Sequence, residues 1–219
     1  MDNAKKAINY KKIANVLMVI VIILFGTYIV YDLFGTYRGE KPVVEERNSM
    51  SDTWKSGEFK IGKTIYKLSS YYKELSDNGW SIDFEELVHP NGYVLNKNEK
   101  DQLNAKLKNN KYKDNSLEVG FINYDSVPKD AKNCQYWSIT INNKDKSNAI
   151  DFELPGGIKN GTSIQEIEKT YGKPEDPDNI FRAETLKYTT YIYEYENTIY
   201  LKLTIYDEEG LTAFEYNIY

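Results

Sequence analysis

Apolar residues are distributed along this chain in three ways. Ile13 to Phe34 (IANVLMVIVIILFGTYIVYDLF) is almost continuously apolar, with an unbroken run from Val16 to Phe25 and only Asn15 and Asp32 as strongly polar members. Twenty-two helical residues span about 33 Å, close to a hydrocarbon core of about 30 Å. A helix satisfies its own backbone groups, as lipid requires, so the pattern predicts a transmembrane helix over residues 13–34. Tyr28, Tyr31 and Tyr37 fall at its far end, where an aromatic belt sits. Residues 35–57 that follow are polar and without sustained periodicity, and read as a stalk.

From residue 58 onward the apolar residues come in short alternating runs. Phe59–Leu68 (FKIGKTIYKL) predicts a strand or a tight hairpin at Gly62. Ser69 or Ser70 then caps a short helix carrying Tyr71, Tyr72 and Leu75 and ending at Gly79, after which Trp80 packs back. The stretch ending His89-Pro90-Asn91-Gly92 is a turn by composition. Leu103, Ala105 and Leu107 alternate as in a strand, although the same segment also fits a helical turn. Leu117–Tyr124 and Gln135–Asn142 are aromatic and β-branched, and predict strands.

The last third carries the clearest pattern. Pro155-Gly156-Gly157 is a turn, and Thr162-Ser163-Ile164-Gln165 fits a capping box. Ile164, Ile167 and Tyr171 share one helical face, Gly172 ends the helix, and Pro174 prevents its continuation. Three strands follow: Leu186–Tyr195, Thr198–Tyr206 and Leu211–Tyr219, joined at Glu196-Asn197 and at Asp207-Glu208-Glu209-Gly210. If Glu196-Asn197 is a two-residue turn, Glu194/Ile199, Ile192/Leu201, Thr190/Leu203 and Tyr188/Ile205 are opposed on one face. The second turn places Leu203/Phe214, Leu201/Tyr216 and Ile199/Ile218 on that same face and pairs Lys202 with Glu215 on the other. The aliphatic face is expected to receive the Ile164/Ile167/Tyr171 helix.

Charge then orients the chain. Lys5, Lys6, Lys11 and Lys12 precede the apolar span, whereas Arg38, Lys41 and Arg47 beyond it are offset by Glu40, Glu45 and Glu46. By the positive-inside rule residues 1–12 are cytoplasmic and the C-terminal domain is extracellular, on a single-pass signal-anchor at the cell membrane. A cleaved signal peptide is disfavoured, because the apolar run exceeds a typical h-region and no A-x-A-like site follows. The whole chain carries −5, and its first twelve residues hold four Lys against Asp2, so about −8 falls on the rest. That excludes the basic footprint of a nucleic-acid-binding protein. One Cys and one His in 219 residues exclude an internal disulfide, a Cys-clustered zinc site and a multi-histidine metal centre.

Two segments, FKIGKTIYKLSSYYKELSDNGW and FELPGGIKNGTSIQEIEKTYGKP, form a loose internal repeat: a strand, then a capped helix ending at Gly, then antiparallel strands. In Thr162–Pro174, with Tyr171, Gly172 and Pro174, and in the strands from Leu186 to Tyr219, the sequence resembles small extracytoplasmic domains of the β-lactamase-inhibitor-protein-like type. These include the outer-membrane-assembly lipoprotein domain. FELPGGIKNGTSIQEIEKTYGKP, with KNCQYWSITIN before it, is also similar to uncharacterised membrane-anchored proteins of Gram-positive bacteria. The resemblance covers about a third of the chain. It implies an α+β fold in which the transmembrane helix leads to two helix-plus-antiparallel-sheet units, residues 58–150 and 151–219. In that group a sheet face of this kind binds protein.

The candidate chemistry is sparse. On the predicted register Tyr191, Tyr193 and Tyr195 share the meander's second face with Tyr200 and Tyr206, and Tyr193 opposes Tyr200. Exposed tyrosines give large contact area at low entropic cost, so Tyr191, Tyr193, Tyr200 and Tyr206 form the expected binding surface. Glu175, Asp176, Asp178 and Asn179 gather oxygens in one loop, but the spacing is not that of an EF-hand, and a solvated turn between Pro174 and Pro177 is favoured. His89 has no Ser or Cys motif beside it, and Cys134 reads as a packed side chain. Asn160-Gly161-Thr162 matches the glycosylation sequon, with its Thr also serving the helix cap. No phosphate loop and no spaced carboxylate pair are present, and no cofactor is implied. The expectation is a non-catalytic, membrane-anchored module that binds another envelope protein. A cell-wall or glycan-binding module and an extracytoplasmic hydrolase are the alternatives.

Overall fold

A computed structural model describes residue 18 and residues 47–83, 93–100, 104–112, 115–143 and 147–219. The chain divides after Lys41 into two units, and every described residue except Met18 belongs to the second, Pro42–Tyr219. The predicted transmembrane segment apart from Met18, residues 35–46 of the predicted stalk and His89 lie outside the described residues. Among those described, no helix is long and apolar enough to cross a membrane.

The alternating runs become strands. In chain order they are β1 (Glu58–Ile61), β2 (Thr64–Lys67), helix α1 (Tyr72–Asp77), β3 (Ser81–Ile82), β4 (Val94–Leu95), β5 (Ala105–Lys108), β6 (Ser116–Ile122), β7 (Lys129–Asp130) and β8 (Gln135–Asn142). There follow β9 (Phe152–Leu154), β10 (Ile158–Lys159), helix α2 (Ile164–Tyr171), β11 (Ile180–Ala183), β12 (Tyr188–Tyr195), β13 (Ile199–Tyr206) and β14 (Gly210–Ile218). Over the described residues the protein is therefore mostly β-sheet with few helices, α+β in the broad sense.

Eight strands form one antiparallel sheet in the order β11-β12-β13-β14-β8-β6-β5-β3, and a smaller sheet runs β10-β9-β1-β2. The small sheet packs over the middle of the large one. Phe59 lies 6.2 Å from Phe214 and 6.4 Å from Tyr136, Phe152 lies 5.0 Å from Phe214, and the Gly57 amide donates to the Tyr216 hydroxyl at 3.2 Å. On either side of it sit the helices. Tyr72 of α1 meets Phe121 of β6 edge-on at 5.6 Å, and Ile167 of α2 is fully buried. One face of the large sheet is thereby packed. Burying Phe59, Tyr136, Phe214 and Tyr216 against one another removes several hundred Å² of apolar surface from water.

Both helices start one residue or more later than expected. Ser163, not Thr162, caps α2: its hydroxyl accepts from the Glu166 amide while the Glu166 carboxylate accepts from the Ser163 amide at 3.0 Å. The Thr162 hydroxyl is spent upstream on the Lys159 amide, and its carbonyl accepts from Leu211. Neither Ser69 nor Ser70 caps α1. The Ser69 amide donates to the Tyr136 carbonyl and the Ser70 carbonyl accepts from the Tyr136 amide, which pins a turn with Ser69 at φ 67° to β8, and the helix begins only after the extended Tyr71.

The β13–β14 hairpin takes the predicted register, with Ile199 opposite Ile218, Leu201 opposite Tyr216, and Lys202 opposite Glu215. The β12–β13 hairpin does not. Tyr195 pairs with Ile199, Tyr193 with Leu201 and Tyr191 with Leu203, one residue away from the expected pairing. Glu196 and Asn197 adopt positive φ, and the Thr198 amide closes the turn on the Tyr195 carbonyl at 2.8 Å. The Thr198 carbonyl is engaged from the other side by the Tyr219 amide at 3.0 Å, so Thr198 stays out of the ladder. The loop thus holds three residues instead of two. Since side chains alternate along a strand, that extra residue exchanges the two faces of β12.

Candidate functional site

The exchange of faces decides where each expected binding tyrosine goes. Tyr191 and Tyr193 are 3% and 5% exposed, on the packed face beneath α2, and not on the face that carries Tyr200 and Tyr206. A buried tyrosine needs a partner for its hydroxyl, and α2 supplies two. Tyr191 donates to Glu168 Oε1 at 2.5 Å, and Tyr193 donates to the Gly172 carbonyl at 2.9 Å, where the helix ends. Tyr171 meets Tyr193 edge-on at 5.7 Å and donates to the Pro155 carbonyl at 2.5 Å. Burial pushes the Tyr171, Tyr191 and Tyr193 phenols well up, and the Glu168 carboxylate adds to the rise at Tyr191. These three rings hold the helix to the sheet. The expected cluster of Tyr191, Tyr193, Tyr200 and Tyr206 is therefore split between two faces.

The opposite face of the large sheet carries a different aromatic set. Tyr188 stands against Tyr206 at 5.3 Å across β12 and β13, and Tyr200 meets Tyr219 edge-on at 6.3 Å. Phe181 on β11 is 58% exposed and lies in register with Thr190. Between the two tyrosine pairs run Ile192, Lys202 and Glu215, the last two 3.5 Å apart as an ion pair. Burial, reinforced by Glu215, pushes the Tyr200 phenol up to about 12, so it is a neutral hydrogen-bond donor at neutral pH. Farther along, Lys100 Nζ sits 4.6 Å over the Trp137 ring and donates to the Ile218 carbonyl at 3.2 Å. This surface presents aromatic rings, tyrosine hydroxyls and the Lys202–Glu215 ion pair.

A cleft of about 540 Å³ opens at the β12 end of the sheet, between the strand's far half, the loop after α2 and the 3₁₀ turn Trp54–Ser56. Trp54 lies 5.7 Å from Tyr193 at its floor, and Lys55 Nζ sits 4.1 Å over the Tyr195 ring. Its rim carries exposed Glu175, Asp176, Glu194 and Glu196. The expected oxygen-rich loop is half of this rim. Asp176 accepts from the Asp178 amide at 2.9 Å, as a turn residue does. Among the described residues no group of three His, Cys, Asp or Glu side chains is arranged to hold a metal ion.

The remaining sequence candidates are structural in their surroundings. Cys134 is buried with its Sγ 3.4 Å from the Asp130 carbonyl, and burial pushes its thiol up to about 11. Asn160 of the sequon is exposed, and its side-chain carbonyl accepts from Asn143 at 3.2 Å. The sequence pattern missed Tyr188 and Tyr219 as surface partners and missed β11 altogether. The cue for that strand is four residues long (Ile180–Ala183) and follows a Pro-rich loop. Comparison with protein-family models, with curated proteins and with solved structures finds no match for this chain.

Proposed function

We propose that this chain is a non-catalytic protein-binding module, anchored in the cell membrane by residues 13–34, with residues 1–12 in the cytoplasm and the sheet-rich domain outside. It would bind another envelope protein through the unpacked face of the large sheet. The observation that carries the reading is the set of Tyr188/Tyr206, Tyr200/Tyr219 and Phe181 on one face of a sheet whose other face is filled by α1, α2 and the small sheet. Such a face is rigid before binding, so little ordering entropy is lost when a partner docks.

The two-unit reading of the domain is part of this proposal, and the strand order supports it. Outward from the β14–β8 centre of the large sheet, strands from after and before residue 150 alternate as counterparts: β14 with β8, β13 with β6, β12 with β5, β11 with β3. The small sheet repeats the relation, β9 with β1 and β10 with β2. Each half thus runs two strands, a helix and four further strands in the large sheet, with a pseudo-twofold relation between the halves. The likeness to β-lactamase-inhibitor-protein-like domains is part of the same reading.

The test uses the full chain in detergent as bait in an envelope extract, beside a variant with Phe181, Tyr188, Tyr200 and Tyr206 all changed to Thr. Threonine keeps strand propensity while removing the rings. A protein retained by the native chain and lost by the folded variant is the expected result. Equal capture by both would move the contact elsewhere, and retention of wall polymer in place of protein would favour the glycan-binding alternative.

A further inference from the structure

The cleft beside Trp54 contains an unfinished sheet edge. β11 pairs with Tyr188, Thr189, Thr190 and Tyr191 of β12 and goes no farther, whereas β13 pairs with β12 all the way to Tyr195. Ile192 to Tyr195 therefore has a ladder neighbour on one side only. The direction of the backbone groups follows from the turn. The Tyr195 carbonyl accepts from Thr198, so Tyr195 and Tyr193 point their N–H and C=O toward β13. Alternation then directs those of Ile192 and Glu194 outward, into the cleft that these same residues line.

The surroundings specify what could occupy it. An edge of four residues, roughly 13 Å long, matches an extended segment and not a helix. Aromatic rings of Trp54, Tyr171 and Tyr195 line the same cleft. The charge is one-sided. Glu175, Asp176, Glu194 and Glu196 are exposed at the rim against two lysines. Lys55 lies over Tyr195, and Lys173 is directed toward Glu168 at 3.6 Å. We propose that this cleft takes an extended polypeptide segment with basic side chains, added as a further antiparallel or parallel strand to Ile192–Tyr195 of β12. It uses the open edge of β12, whereas the tyrosine surface uses the face. The two adjoin at Ile192 and Glu194, but exchanging Phe181, Tyr188, Tyr200 and Tyr206 leaves the Ile192–Tyr195 backbone in place, so either proposal can fail alone.

The experiment uses the full chain in detergent and a pool of acetylated peptides about seven residues long, in which Lys or Arg alternates with Val, Ile, Thr or Tyr. A matched pool carries Asp or Glu instead, and a third carries the basic residues with alternate backbone nitrogens methylated, which removes the edge-pairing donors. Retention of the basic pool, about tenfold above both others, is expected. Two variants locate the site. Glu194→Pro removes the outward-facing N–H, which an edge strand tolerates, together with the carboxylate, and should abolish retention, while Glu194→Gln removes the charge alone and should weaken it only modestly. Unchanged far-ultraviolet circular dichroism of both variants shows that the sheet persists. Equal retention of the methylated pool, or of the acidic pool, overturns strand addition by a basic segment, as does the absence of retention. The peptide arms need no variant, so a misfolded Glu194→Pro chain does not blunt the test.

Discussion

The Tyr193 hydroxyl donates to the Gly172 carbonyl at 2.9 Å, tying the sheet to the last carbonyls of α2. Gly172 itself has positive φ and ends the helix, so this bond fixes where the chain leaves for the cleft loop. Tyr193→Phe should cost about 1 kcal/mol, the net worth of one such hydrogen bond. Tyr193→Ser should cost about 3–5 kcal/mol, because a buried ring is lost with its contacts to Trp54 and Tyr171. Urea unfolding followed by tyrosine and tryptophan fluorescence measures both; a Ser variant as stable as the Phe variant would contradict the packed placement.

Arg47 and Glu74 form a buried ion pair at 3.2 Å, and Arg47 Nη2 also reaches the Ser70 hydroxyl at 3.1 Å. The pair fastens residue 47, within the predicted stalk, to α1, so this part of the predicted stalk packs on the domain. Arg47→Ala should destabilise the domain by about 3 kcal/mol, since Glu74 would keep its charge in a buried place. Arg47→Met with Glu74→Leu should recover most of the loss. Thermal unfolding of the single and double variants would show it, and equal losses in both would remove the ion pair as the cause.

Gly210 starts β14 at φ 73°, and a Cβ added there would lie 2.3 Å from the Gly161 carbonyl oxygen. The contact is backbone against backbone, held by the Gly161 amide on the Leu211 carbonyl at 2.7 Å. Gly210→Ala therefore combines left-handed strain with overpacking and should cost about 2–4 kcal/mol. Gly62, also left-handed, has nothing within 4 Å of its Cβ position, and Gly62→Ala should cost about 1 kcal/mol. A smaller loss at Gly210 than at Gly62 in chemical denaturation would refute the close approach.

Hydrogen bonds from Ser163 hold the Glu166 carboxyl below its ordinary value, and the Arg182 guanidinium does the same for Asp207, 2.7 Å away. A lowered carboxyl pKa means that its contribution is present above the unfolded-state value and disappears as pH falls through the folded one. Glu166→Gln should therefore lower the urea midpoint at neutral pH, with the difference from the native chain closing as the pH falls through the lowered folded-state value. A difference that persists undiminished in acid would assign the effect to something other than the carboxylate.

The Cys134 thiol, buried and pushed up to about 11, should be inert to a disulfide reagent at neutral pH in the folded chain and react fully in urea. Rapid reaction without denaturant would show that the β7–β8 connection opens readily.

The sequence by itself determined most of the strands and one of the two hairpin registers. Leu117–Tyr124, Gln135–Asn142 and the meander are legible because alternation with β-branched and aromatic residues has few other solutions. The β13–β14 register is legible because Lys202 and Glu215 agree with Leu201/Tyr216 and Leu203/Phe214. The β12–β13 register was not. Tyr191, Tyr193 and Tyr195 alternate with Thr190, Ile192 and Glu194, and tyrosine, apolar in its ring and polar at its tip, suits either face. Only tertiary partners decided: Glu168 and the Gly172 carbonyl receive the hydroxyls of Tyr191 and Tyr193, and Tyr219 holds Thr198 out of the ladder. The cleft was illegible for the same reason, because Trp54, Tyr171 and Glu194 meet only after the small sheet and α2 have packed. Local pattern determines where a strand forms; distant hydrogen-bond partners determine which of its faces is buried.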